Sequence, residues 1–345
     1  SQTGAPAAAL AAFPDLVARE LAIRAPGARP TTLYVGGGTP SLLGPDGLRA
    51  LAAVLPAPEP GAEFTVELNP GDVDALLADA LRAAGATRAS LGVQSFDDRA
   101  LRFLGRRHDT AQAVAAASAL RHAGFDNLSL DLIAAIPGFD DASFHRSLEQ
   151  AIALAPRHIS VYALTVEEGT PLAADVRAGR VEMPSDDATL DALAEAEATL
   201  ARAGYARYEI SNYALPGFEC RHNLAVWHGE DYAGLGPAAA SRQGLVRRTN
   251  APDFATWASA LRAGLPPPAE EEALTPEADA RERFVTGFRL AAGQRPDPAT
   301  AIGRARLAIC EKLARLGLLA RLDDGAYALT ARGREVADGV MAEFD

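Results

Sequence analysis

Short apolar segments alternate with longer amphipathic ones through the first half of the chain. The short segments are Leu33-Tyr34-Val35 and residues 64–68, 89–96, 128–134 and 158–165. Each is rich in β-branched or aliphatic residues and bounded by Gly, Pro, Asn or Asp, the pattern of buried parallel strands. Between them, residues 42–55, 72–84, 110–123 and 141–154 carry helical spacing. In the second of these Val73, Leu76, Leu77 and Leu81 share a face, with Asp72 as the expected N-cap and Gly85 as the expected stop. Strand–helix units of roughly 25–40 residues predict a parallel α/β sheet, open or closed into a barrel.

The rhythm changes after Thr165. A helical region at 186–203 precedes Tyr208-Glu209-Ile210-Ser211 and a glycine- and aromatic-rich stretch to about residue 244. Pro266-Pro267-Pro268 followed by Glu270-Glu271-Glu272 reads as a linker. Beyond it, 276–345 reads as helices ending in a hairpin around Asp323-Asp324-Gly325, a small winged-helix-like module. The expected organisation is an α/β domain over 1–245, a linker over 246–275 and a C-terminal module over 276–345. Residues 301–345 hold seven basic and seven acidic side chains, so the module reads as a packing or lid element and not as a DNA reader.

Composition narrows the classes. With 48% hydrophobic residues the chain can bury a large core, and 33 basic against 45 acidic residues argues against a nucleic-acid binder. No apolar run reaches the roughly 18–20 residues of a membrane span, and no signal peptide opens the chain. A cytoplasmic protein with no integral membrane segment is expected. The two cysteines, Cys220 and Cys310, form no disulfide framework and no metal-ligand spacing.

Gly36-Gly37-Gly38-Thr39-Pro40 follows the first apolar segment, where glycine permits close approach of a ligand to the backbone. It is neither a dinucleotide fingerprint nor a P-loop. Glu67 and Gln94 lie near the ends of their strands, and Asp131 interrupts an otherwise apolar one. A carboxylate there needs a partner, and Arg106 is the candidate. In α/β proteins ligands bind at the carboxyl ends of strands. Two acids, an amide, an arginine and a glycine loop suit a zwitterionic ligand that carries a carboxylate, an amine and hydroxyls. A TIM-like lyase or isomerase using Gly36–Gly38 as a phosphate loop is an alternative.

In order, LYVGGGTPS, FTVELNP, LGVQSF with LGRRH, LSLDLIAAIPG and ISVYALTVEEGTPL resemble the radical S-adenosylmethionine proteins related to oxygen-independent coproporphyrinogen III oxidase. YEISNYALPGFECRHNLAVWHGEDYAGLG is more similar to that family's heme-chaperone branch than to its oxidase branch. The resemblance runs from about residue 33 to 236. It implies a partial, six-unit (β/α) TIM-like barrel, with Gly37, Gly38, Thr39, Glu67, Gln94, Arg106 and Asp131 contacting S-adenosylmethionine. Arg106 suits the methionine carboxylate as a bidentate pair; Glu67, Gln94 and Asp131 suit the amine and ribose hydroxyls. The heme-chaperone branch carries HN-x-x-Y-W; here His222-Asn223 is followed by Val226-Trp227, which implies His222 as an iron ligand for heme. Val226 replaces the family's tyrosine, Ala240 a frequent histidine, and Ala134-Ala135-Ile136-Pro137 the usual Y-G-L-P.

The family's [4Fe–4S] cluster is held by C-x-x-x-C-x-x-C on the loop after the first barrel strand, and no such motif occurs here. The chain therefore reads as a family member without its first strand and cluster loop, either because that part is truncated or disordered or because the protein is naturally cluster-free. As given, it is expected to be inactive in radical chemistry. The function implied is heme binding and transfer to an acceptor hemoprotein, respiratory or other, reached at the membrane through that partner. The alternative is oxidative decarboxylation of coproporphyrinogen III in porphyrin biosynthesis.

Overall fold

The computed structural model of the protein describes residues 7–344; the outermost expected domain bounds, residues 1–6 and 345, lie outside them. Two compact units are formed. Of the described residues, the first gathers 7–38, 42–64 and 220–344, and the second 39–41 and 65–219.

The second unit is the α/β layer that the alternation predicts. Its strands are β2 (Glu63–Leu68, which begins in the first unit), β3 (Arg88–Gln94), β4 (Asn127–Ala134), β5 (His158–Ala163), β6 (Ala206–Arg207) and β7 (Asn212–Ala214). β2 to β5 are parallel neighbours, β7 pairs antiparallel with β5, and β6 with β7. The helices between them are α3 (Ala75–Ala83), α4 (Asp98–Phe103), α5 (Thr110–His122), α6 (Asp141–Ala153), α7 (Pro171–Arg177) and α8 (Asp186–Arg202). The N-cap of α3 is Asp74, whose carboxylate accepts from Leu77 N at 2.8 Å, and not the expected Asp72. Asp72 instead accepts from Ser41 Oγ at 2.7 Å, because a 3₁₀ turn over Pro70–Asp72 precedes the helix.

The two faces of this sheet differ in chemistry. Leu91, Leu128, Leu130 and Leu132 are fully buried on one face, where α5, α6 and α8 pack. The other face carries Thr65 and Glu67 on β2, Arg88 and Ser90 on β3, Ser129 and Asp131 on β4, His158 and Ser160 on β5, and Asn212 on β7. Strand alternation places them there, and the parallel register lines them up across neighbouring strands.

The first unit contains α1 (Ala7–Arg24), β1 (Thr32–Val35), α2 (Gly44–Val54) and the chain from Cys220 onward. That later part folds as α9 (Arg221–Trp227), β8 (Ala240–Gln243), β9 (Val246–Asn250), α10 (Phe254–Arg262), β10 (Ala269–Ala273), α11 (Pro276–Thr286), α12 (Ala301–Arg315), the hairpin β11 (Leu319–Arg321) and β12 (Tyr327–Leu329), α13 (Ala331–Glu335) and α14 (Ala337–Ala342). Leu16, Val17, Leu51, Trp257 and Leu261 form its core. Glu20 is buried among them and accepts from Gly236 N at 2.7 Å, Asn250 Nδ2 at 2.6 Å and Trp257 Nε1 at 2.9 Å.

Residues 246–275 are therefore not a linker. The glutamate run is an edge strand in register with arginines, Glu271 opposite Arg248 and Glu272 opposite Arg247. The ion pairs close at 2.5 and 2.7 Å. Charge on an edge strand prevents further pairing and is compatible with β structure, which is why composition alone misreads it.

Candidate functional site

Of the expected ligand set, Thr39, Glu67, Gln94, Arg106 and Asp131 belong to the second unit, where Glu67, Gln94 and Asp131 are on β2, β3 and β4, while Gly37 and Gly38 follow β1 in the first. Thr39 receives Asn69 Nδ2 at 3.5 Å, just past β2, and Ser41 bonds Asp72, so residues 39–41 are tied to the loop that follows Glu67. Gln94 ends β3 with φ +69°, a left-handed conformation unusual for a side-chain-bearing residue. A Cβ added at Gly92 would meet Gln94 Nε2 at 2.9 Å, so the glycine makes room for the folded-back amide. Gly37, in the first unit, also has φ +77°, with nothing within 4 Å of a built Cβ.

Asp131 has hydroxyl partners. Ser90 Oγ lies 3.4 and 3.5 Å from its two oxygens. Burial pushes its carboxyl up to about 6, against the opposing pull of the Ser160 hydroxyl and the Arg88 charge. Arg106 contributes attraction to Asp131, but among the described residues no ion pair joins the two, and the hydroxyls of Ser90 and Ser160 stand where the sequence led one to expect Arg106. Burial lowers the pKa of Arg106, and its Nε is buried with no hydrogen-bond partner. Arg106 N bonds Leu101 O at 2.9 Å, closing α4. His108 Nε2 meets Val93 O at 3.1 Å, anchoring the Gly105–His108 loop to β3. Burial pushes the His108 imidazole below its ordinary range, so its neutral form donates that bond. Sequence reasoning missed this anchor, although His108 stands in the quoted LGRRH run.

Below this set, the buried His158 bonds Ser129 Oγ at 2.8 Å through Nδ1 and the Tyr208 hydroxyl at 2.9 Å through Nε2. Burial holds its pKa well below the ordinary value, and the nearby Arg88 adds to the shift. It is a neutral strut between β4, β5 and the segment before β7.

His222 sits in the first unit, in the first turn of α9. Its Nδ1 is 3.1 Å from Thr32 Oγ1, and its ring stacks on Tyr34 with centroids 4.8 Å apart and planes at 25°. Thr32 and Tyr34 are on one face of β1, and Thr32 is at the end of that strand away from Gly37. The N-cap of α9 is Cys220, which supplies no side-chain cap. Glu63, from the start of β2, does the capping: its buried carboxylate accepts from Arg221 N and His222 N, both at 3.2 Å, with Cys220 Sγ at 3.5 Å. Glu63, Thr32 and Tyr34 are the supports of His222 that the sequence did not reveal. Val226 lies in α9, and Ala240 opens β8 with its side chain exposed.

The donors present fit S-adenosylmethionine: an orphaned buried guanidine nitrogen for a carboxylate, an amide in a glycine-made recess, and a desolvated carboxylate for hydroxyls or an amine. Among the described residues no group of three or more His, Cys, Asp or Glu could hold a metal ion, and both cysteines are buried as free thiols, so they do not fit an iron–sulfur cluster.

The Radical SAM superfamily model matches residues 13–151, the stretch that includes β2, β3 and β4 with the polar set at their ends. Heme chaperone HemW of Mycobacterium tuberculosis is 39% identical over 313 residues, covering 90% of this chain and 79% of the relative. HemW of Bacillus subtilis is 31% identical over 322 residues, covering 91% and 85%. Coproporphyrinogen III oxidase (HemN) from Escherichia coli shares the fold with a TM-score of 0.81 at 24% identity, covering 97% of this chain and 83% of that one. The chain belongs to the HemW family of heme chaperones. Membership of the radical SAM superfamily implies S-adenosylmethionine and a [4Fe–4S] cluster as its cofactors.

Proposed function

We propose that this protein binds heme through His222 and hands it to an acceptor hemoprotein, with S-adenosylmethionine held at the strand ends in an accessory role. The observation that carries the reading is the support built around His222. An imidazole that ligates iron through Nε2 must keep its proton on Nδ1, and a second group bonded to Nδ1 fixes both tautomer and ring orientation. Thr32 Oγ1 stands at that nitrogen, Tyr34 braces the ring face, and Glu63 fixes the turn that carries it.

In the second unit Arg106 would take the methionine carboxylate, while Glu67, Gln94 and Asp131 would hold the amine and ribose hydroxyls, with Thr39 beside them; Gly37 and Gly38, which the family pattern also assigns to this ligand, are in the first unit. Radical chemistry would need a cluster that the described residues do not fit; the residues named here would bind and orient S-adenosylmethionine. HemW membership sets aside the phosphate-loop lyase or isomerase, and the oxidase relative shares the fold alone at 24% identity. Among the described residues no helix is long and apolar enough to cross a membrane. A cytoplasmic protein meeting a membrane-bound respiratory acceptor is part of the proposal.

Titrating the purified chain with ferric heme tests the heme reading. A shifted Soret band that is lost in His222→Ala is expected. No shift in the parent, or an identical spectrum in the variant, would overturn it.

A further inference from the structure

An arginine taken out of water normally receives acceptors from the protein, because its five donors are costly to leave bare. Among the described residues, buried guanidine Nε atoms without a hydrogen-bond partner belong to Arg24, Arg88, Arg106, Arg242 and Arg289. Three of these side chains are engaged in other ways. Arg24 bonds Pro267 O at 2.9 Å and reaches Glu271 at 3.7 Å. Arg242 is paired with Asp279 and Glu282, and the Arg88 charge acts on Asp131 and His158. Arg106 and Arg289 have neither a side-chain hydrogen bond nor an ion pair. Arg106 is the residue read above as the receiver of a ligand carboxylate. Arg289 shares the unpartnered Nε and has no role assigned.

The surroundings of Arg289 sharpen the point. Its guanidinium lies over the Trp227 ring, Cζ 4.3 Å from the centroid. Thr286 Oγ1, three residues earlier, is 3.4 Å from the Trp227 carbonyl. Neighbouring arginines are neutralised: Arg283 by Asp279 at 2.8 Å, and Arg247 by Glu282 at 2.7 Å. The pairing of Arg289 is a stack, which occupies a face of the guanidinium and leaves its edge, the fork that matches a carboxylate bidentately. Trp227 ends the helix in which His222 occupies the first turn. The two residues are about 7.5 Å apart along its axis and about 140° apart around it.

We propose that Arg289, propped on Trp227, binds a propionate carboxylate of the tetrapyrrole whose iron His222 ligates. The inference rests on the heme reading of His222 and adds the group that recognises the macrocycle's acidic edge. Heme offers an iron and two propionates; His222 answers the first and Arg289 one of the second.

The test is a ligand-edited cycle on the full chain, with ferric protoporphyrin IX and its dimethyl ester titrated into the parent, Arg289→Gln, Arg289→Lys and His222→Ala. The expectation for Arg289→Gln is heme binding about tenfold or more weaker, from loss of a charge-assisted pair, with ester binding unchanged. Arg289→Lys should recover part of the loss, and the Soret position of bound heme should stay that of the parent. Equal weakening toward both compounds would make Arg289 a packing group on Trp227, and no change toward either would leave it without a role; each overturns the inference while the heme reading stands on His222→Ala. An unchanged spectrum in His222→Ala overturns the heme reading and this inference with it.

Discussion

Asp131 is the residue where burial and function pull against each other. Its carboxyl sits at about 6 in the fold against an ordinary value of 3.8, chiefly through desolvation. With the folded pKa raised, the folded state binds the proton more tightly than the unfolded state between those values. Stability therefore falls as pH rises from about 4 to about 6 and stays lowered above that. Asp131→Asn removes the cost. Its melting temperature should exceed that of the parent at pH 8, with the advantage gone near pH 4, while its affinity for S-adenosylmethionine falls. An advantage independent of pH would show that the carboxylate is not desolvated. Ala135 is a second strained residue. It follows β4 with φ +55°, at the position where the family pattern has glycine. A left-handed alanine costs roughly 1 kcal/mol, so Ala135→Gly should raise stability by up to about that amount in urea unfolding, whereas a loss would mean the backbone there is not left-handed.

At the scale of elements, the glycine at position 92 and the turn at Gln94 act as one device. The strand turns left-handed at Gln94, and the amide folds back over a residue with no side chain. Gly92→Ala presses on the flexible end of that amide and meets Leu68 O only at an ordinary 3.7 Å, so melting should change little while S-adenosylmethionine binding, followed by its thermal stabilisation of the chain, weakens several-fold. A large loss of stability with unchanged binding would contradict this. The strands and helices of the second unit were legible because each is a local pattern: β-branched or aliphatic runs with turn residues at their ends, and apolar residues at helical spacing. The strand-end set was legible for the same reason, since each member stands beside a turn. The supports of His222 were not. Glu63 and His222 are 159 positions apart in sequence, and nothing local marks a strand glutamate as the cap of a distant helix. The helix itself lies in a stretch that composition marks only as glycine- and aromatic-rich, because seven residues following a cysteine that supplies no side-chain cap carry no start signal. β10 was hidden by its three glutamates, whose partners Arg247 and Arg248 lie more than twenty positions back.

At the scale of the whole molecule, the units are assembled from discontinuous stretches, and β2 passes from one into the other between Phe64 and Thr65. A plan of consecutive domains broken at 245 and 275 follows composition, whereas the units follow contacts, and α1 shares a core with Trp257 and Leu261 far along the chain. The strand-end set proposed for S-adenosylmethionine belongs mainly to one unit, and His222, Trp227 and Arg289, proposed for heme, to the other. On that proposal the two chemistries rest on separate sets of residues. The central claim is that bound heme is delivered to another protein, which differs from binding heme and releasing it. Delivery by contact has a rate that rises with acceptor concentration, whereas release into solution followed by capture proceeds at the dissociation rate whatever the acceptor. The most direct measurement loads the chain with heme, mixes it with increasing amounts of a heme-free respiratory cytochrome b, and follows the change in Soret absorption, with apomyoglobin as a passive trap. The account predicts a transfer rate that climbs with the cytochrome and stays constant with the trap. One constant rate for both would contradict it.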